Sequence, residues 1–146
     1  MLWALFGLVV AQSLGFVLIM VIWDFQIIDE MRDPEVIRTH INAITDVQRS
    51  VHVWTTSTLD VTYPLTYGAL LAGVTRRSLP SVFCLPALAA VPTDLAEGVV
   101  QVLALSSVAD VLEWKAVLTP LKFALLGVAI VLAFIAIGLG RRKQLR

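Results

Sequence analysis

Residues 81–107 read SVFCLPALAAVPTDLAEGVVQVLALSS, and this stretch decides the fold. It is long enough to cross a bilayer, which takes roughly 20 apolar residues in a helix. It is apolar at both ends and carries Asp94 and Glu97 near its middle. A carboxylate at the bilayer centre costs on the order of 3 kcal/mol on insertion scales, so an intramembrane acid is a functional candidate by default. Asp94, Glu97 and Gln101 follow i, i+3, i+7 spacing and share one helix face. That face should meet other helices and not lipid. The stretch therefore predicts a helical membrane protein with a buried polar seam.

Composition supports the same class. The chain has 146 residues, enough for one domain, and is 58% hydrophobic. Mean hydropathy is +0.86. Only 15% of residues are charged, against roughly 25% in soluble domains. Formal net charge is zero, and no basic run suits nucleic-acid binding. The basic tail 141–146 reads as a cytoplasmic topology anchor. The one cysteine, Cys84, excludes an intramolecular disulfide and a cysteine-based metal cluster. It reads as a small apolar residue of a membrane helix.

Working outward, residues 2–23 are apolar apart from Gln12 and Ser13. This run lacks a basic start and a small-residue cleavage site, so it is expected to be the first membrane helix and not a signal peptide. Gly7, Ala11 and Gly15 recur every four residues and would let a second helix approach closely. Gln12 is expected to make an interhelical hydrogen bond.

Residues 34–57 are expected to form an amphipathic helical segment between the first and second membrane helices. Asp33 and Pro34 suit an N-cap and first helical position. Val36, Ile37, Ile41 and Ile44 then recur at helical spacing. Thr45 to Gln48 matches a capping box, which starts a second helix near Asp46 with Val47, Val51 and Trp54 on one stripe. Such a segment lies on the bilayer surface or packs over the bundle.

Residues 59–75 are expected to be the second membrane helix, kinked at Pro64. If the helix from Asp46 runs on into it, His52, Thr56, Asp60, Tyr63 and Tyr67 share one continuous face. Residues 81–107 are the third, with Pro86 and Pro92 awkward for a regular helix. Residues 120–139 are the fourth, with Thr119 as N-cap and Pro120 at the first position. Arg76, Arg77 and the basic tail mark one side as cytoplasmic. Residues 24–57 carry six acids against three arginines and suit the other side. Both termini are then expected in the cytoplasm.

At 1.5 Å per residue, Asp60, Glu97 and Lys122 fall in the outer half of the membrane and Asp94 nearer its middle. Lys122 in a first helical turn opposes the helix dipole unless a carboxylate compensates, and Glu97 matches it best in depth. The candidate seam is Asp60, Tyr63, Tyr67, Asp94, Glu97, Gln101, Lys122 and His52. These groups could supply acid-base chemistry. A metal site on His52, Asp60, Asp94 and Glu97 would suit hard cations or zinc by residue type. No H-E-x-x-H or comparable spacing is present, and neither a metal nor a cofactor is expected.

Asp60-x-x-Tyr63-Pro64-x-x-Tyr67, Asp94-x-x-Glu97 and Thr119-Pro120-x-Lys122 together resemble the pattern of small uncharacterised bacterial four-helix integral membrane proteins. The resemblance covers the chain from Thr45 to the end of the third helix and the start of the fourth. It implies no activity. The pattern places asparagine after the glutamate, where this chain has Gly98. Eight arginines against three lysines suit a GC-rich bacterium, and the bilayer expected is the bacterial cytoplasmic (inner) membrane.

Three function classes follow. The first and favoured is a structural, binding or accessory membrane protein whose ion pairs fix the bundle, with a membrane-complex partner. The second is a small acid-base enzyme acting on a lipid-like substrate. The third is a proton- or cation-coupled carrier. Four helices enclose little space, so a carrier would be a homo-oligomer. A cavity reaching the acids favours the last two classes, and a dry paired seam favours the first.

Overall fold

The computed structural model describes residues 1–24 and 26–144, with the side chains of Glu30 and of residues 141–144 outside the description. Residues 145–146 of the expected basic tail lie outside the described residues. The described chain is all-helical: α1 (Leu2–Trp23), α2 (Pro34–Ala43), α3 (Asp46–Arg76), α4 (Leu85–Leu105) and α5 (Lys115–Gln144), with short 3-10 turns at Ile28–Glu30, Ser81–Cys84 and Leu112–Trp114.

Three helical stretches are long and apolar enough to cross a membrane: Leu2–Trp23, Ser81–Leu105 and Leu112–Gly140. Large apolar side chains such as Trp3, Val21, Val131 and Phe134 point outward, while His52, Glu97, Gln101 and Lys115 are enclosed. Apolar outside and polar inside is the reverse of a soluble domain, and it defines a membrane protein. The remaining long helix, α3, is not among the three.

α3 is the centre of the bundle and packs against α1, α4 and α5. It starts on a complete capping box: Gln48 N–H donates to Thr45 Oγ1 at 3.2 Å, and Thr45 N–H to Gln48 Oε1 at 3.0 Å. It then runs unbroken for 31 residues, about 46 Å. The expected break between an outer segment ending at 57 and a membrane helix beginning at 59 is absent. Residues 46–63 contain no glycine or proline to stop the helix. Pro64 lies inside the helix and leaves the Asp60 carbonyl without its usual donor. Hydroxyls satisfy themselves along α3, as where Thr55 and Thr66 donate to Val51 O and Thr62 O, each at 2.8 Å.

α2 folds over one end of the bundle. Asp33 caps it by accepting from Glu35 N–H at 2.9 Å. Its inward face sets Ile37 and Ile41 into a small apolar cluster with Ile28, Val100, Leu105 and Leu112. Val36, placed on that stripe by spacing, instead faces outward. Arg38 bridges α2 to the α4–α5 connection through Asp110 (2.7 Å) and Glu113 (3.0 Å).

Three further expectations change. Pro86 lies in the first turn of α4, where its missing N–H costs nothing, so only Pro92 interrupts that helix. α5 begins at Lys115 and not at Thr119–Pro120, because the 3-10 turn Leu112–Trp114 leads directly into it. The Gly7–Ala11–Gly15 face makes no close crossing: nothing lies within 4 Å of a Cβ on Gly7, and one on Gly15 would meet Leu59 at an ordinary 3.5 Å. The close approach is at Gly68, where an added Cβ would fall 2.4 Å from Val91 Cγ2 of α4.

The ends of the bundle are also fixed. Leu2 packs at Gly73, and Ser78 lies beside Gly140. The start of α1, the end of α3 and the late part of α5 therefore share one end with Arg76 and Arg77. α2 covers the opposite end.

Candidate functional site

Three elements meet at Lys122. From α5, its ammonium contacts both carboxylate oxygens of Asp29 at 2.9 Å, Asp94 Oδ1 at 3.1 Å and Glu97 Oε2 at 2.6 Å. Lys122 is buried, and Glu97 is fully enclosed. Glu97 Oε1 turns to the next turn of α5, where Lys115 Nζ lies at 2.5 Å and the Thr119 hydroxyl donates to the same oxygen. Lys115, Thr119 and Lys122 follow i, i+4, i+7 spacing on α5. They oppose Asp94, Glu97 and Gln101 on α4, so two polar helix faces close on one another.

Asp29 comes from the 3-10 turn after α1 and binds this cluster from the covered end. It accepts from Gln101 Nε2 at 3.0 Å, and its backbone carbonyl lies 3.5 Å from Lys115 Nζ. Burial, the largest single influence, pushes the Asp29 carboxyl up, but Lys122, Lys115 and the Gln101 hydrogen bond together hold it below the usual carboxylate range. Ile28, its neighbour, is fully buried and pins the turn in place.

The α3 face contributes differently. The Tyr67 hydroxyl donates to Asp94 Oδ2 at 2.8 Å. Tyr63 shares a hydrogen bond with Ser13 of α1 at 3.1 Å and packs edge-on against Tyr67 and Phe16. Gln12 donates to Thr62 at 2.8 Å, the interhelical bond expected of it. Asp60 is half-buried and makes no hydrogen bond or ion pair among the described residues. His52 is fully enclosed. It precedes Asp60 by eight residues on one unbroken helix, about 12 Å along the axis. The two share one face of a continuous helix, about two turns apart.

A cavity of about 390 Å³ opens elsewhere, beside Arg38, Arg49 and Asp110 at the covered end. The cavity that concerns the seam has about 380 Å³. Asp29, Asp60, Asp94, Tyr63, Tyr67 and Lys122 line it, and Phe16, Met20, Phe123 and Leu126 supply apolar wall. Glu97 does not line it.

The sequence-predicted residues thus divide. Asp94, Glu97, Gln101 and Lys122 belong to one charge cluster, joined by Tyr67. Asp60 and Tyr63 face the cavity beside it, and His52 is enclosed in the bundle and does not line that cavity. Sequence spacing did not find Asp29, Lys115 or Thr119. The carboxylate oxygens of Asp29, Asp94 and Glu97 come within 4.8 Å of one another, a spacing that a metal ion could bridge. The Lys122 ammonium already contacts all three, so the chain supplies its own cation there.

Fold and site together define an all-helical membrane protein with a buried ion cluster. The chain matches no known family model, no curated protein and no solved structure.

Proposed function

We propose that the protein is a four-span binding or accessory protein of a bacterial inner membrane, with both termini cytoplasmic. α3 is the fourth span. At about 46 Å it is long enough to cross and still project beyond the bilayer. Its polar face is turned to the other helices, which spares those groups contact with lipid. The end bearing Arg76 and Arg77 is cytoplasmic by the positive-inside rule, and α2 then lies outside. The chain reads as one of the small bacterial four-helix proteins whose motif pattern it resembles.

One observation carries the binding reading: Lys122 is shared by three carboxylates at the wall of a 380 Å³ cavity. The cluster fastens α4, α5 and the turn after α1. The cavity beside it lies within the roughly 300–1,000 Å³ range of small-ligand sites and mixes apolar wall with a few polar groups. A purely structural seam needs no such space.

Cysteine labelling in a Cys84→Ala background tests this. Ser13→Cys, at the cavity, should react with a small membrane-impermeant thiol reagent added from outside. Ala87→Cys, enclosed in the bundle, should not. Equal and negligible labelling would leave the cluster as fastening alone. A reporter inserted near Asn42 should be outside and one after Arg146 inside; a cytoplasmic Asn42 reporter would overturn the topology.

A further inference from the structure

Carboxyl groups outnumber ammonium groups at the cavity. Asp29, Asp60 and Asp94 face it, and Lys122 is the one cation that does so among the described residues. Glu97 does not line the cavity, and it pairs with Lys115 as well as with Lys122. Lys122 is already committed to Asp29, Asp94 and Glu97. Asp60 is left over. It makes no bond among the described residues, and it also lines a second space of about 330 Å³ between α3 and α4, with Thr56, Leu95 and Gly98.

The surroundings of Asp60 decide what kind of cation suits it. A hard metal ion takes six or more oxygen ligands, whereas the cavity walls near Asp60 are largely ring and hydrocarbon. The spot where three carboxylates converge is held by Lys122, whose charge repels a metal. Phe16, Tyr63 and Tyr67 form a run of rings, each nearly perpendicular to the next, with interplanar angles of 77° and 75°. Aromatic faces attract ammonium groups, and a carboxylate supplies the counter-charge.

We infer that the cavity binds a small organic cation, an amine or quaternary ammonium bearing an apolar group, with Asp60 as its counter-ion and the Phe16–Tyr63–Tyr67 rings as its wall. This rests on the open cavity proposed above and names its ligand class. Ser13, from α1, contributes no charge. Asp29 and Asp94 stay with Lys122, so Asp60 is the group that discriminates a cation from a neutral molecule of the same shape.

The test uses the full chain in detergent and benzyltrimethylammonium as probe, followed by equilibrium titration. Benzyl alcohol and benzenesulfonate are the neutral and anionic controls. The wild type should bind the cation saturably, and both controls about tenfold or more weakly. Asp60→Asn should weaken cation binding about tenfold and Asp60→Glu should largely keep it. Because Asp60 makes no bond among the described residues, Asp60→Asn should melt close to the wild type, which separates lost binding from lost fold. Equal binding of the cation and benzyl alcohol, or undiminished binding by Asp60→Asn, would overturn the inference. So would absent cation binding in a protein whose Ser13→Cys variant labels, and the open-cavity reading would then stand. If Ser13→Cys does not label, that reading falls and the inference with it.

Discussion

Lys122 Nζ lies 2.6 Å from Glu97 Oε2, with the lysine side chain 4% exposed and the glutamate fully enclosed. Such a pair is costly to desolvate and costly to break, since removing one partner leaves a buried charge alone. Here the ammonium also serves Asp29 and Asp94, so its loss strands more than one acid.

The two lysines should therefore differ. Lys122→Met removes the cation shared by three carboxylates and should cost about 3–5 kcal/mol of stability in detergent. Lys115→Met leaves Glu97 with Lys122 and the Thr119 hydroxyl and should cost less, about 1–3 kcal/mol. Thermal or denaturant unfolding of both variants measures the order. A larger loss for Lys115→Met would mean that the Glu97–Lys115 contact dominates the cluster.

Asp29 gives the stability an acid dependence. Its carboxyl is held below the usual range in the folded protein, so its contribution is fully present above the unfolded value of 3.8 and is lost as pH falls through the folded value. Asp29→Asn should be less stable than the wild type near neutrality. The gap should shrink as pH drops below about 4. Unfolding curves across that range check it, and a gap independent of pH would contradict the ion pair with Lys122.

The α4 face of the cluster is legible from the sequence because helical spacing alone places Asp94, Glu97 and Gln101 together. The pairing of Lys122 with Glu97 is legible from matching depth and not from the helix dipole, because α5 begins at Lys115 and Lys122 lies about two turns in. Lys115 and Thr119 are hidden by the position chosen for the helix start. With Thr119–Pro120 as a cap, Lys115 falls in a loop; with the helix begun at Lys115, all three line one face. Asp29 follows no period, since it sits in a turn after α1 and is placed by burial of Ile28 rather than by helical repeat. The continuity of α3 is also obscured, because a polar first half and an apolar second half look like two elements although nothing between them breaks the backbone.

Gly98 lies on α4 beside Asp60. A Cβ there would sit 3.6 Å from Asp60 Oδ2, an ordinary contact. Gly98→Asn should fit, bring an amide beside Asp60, and raise stability by about 0.5–1.5 kcal/mol through one hydrogen bond. The melting temperature measures this. A marked loss of stability would show that the α3–α4 approach at this point is tighter than it stands.

The most direct measurement is a double-mutant cycle on Lys122→Met and Glu97→Gln, read as unfolding free energy in detergent. Each single change leaves charge uncompensated in an enclosed cluster, and the double change removes charge of both signs. The double variant should lose less than the sum of the singles, with a coupling of about 1–3 kcal/mol. Losses that add to within about 0.5 kcal/mol would contradict the cluster as the fastening of the bundle.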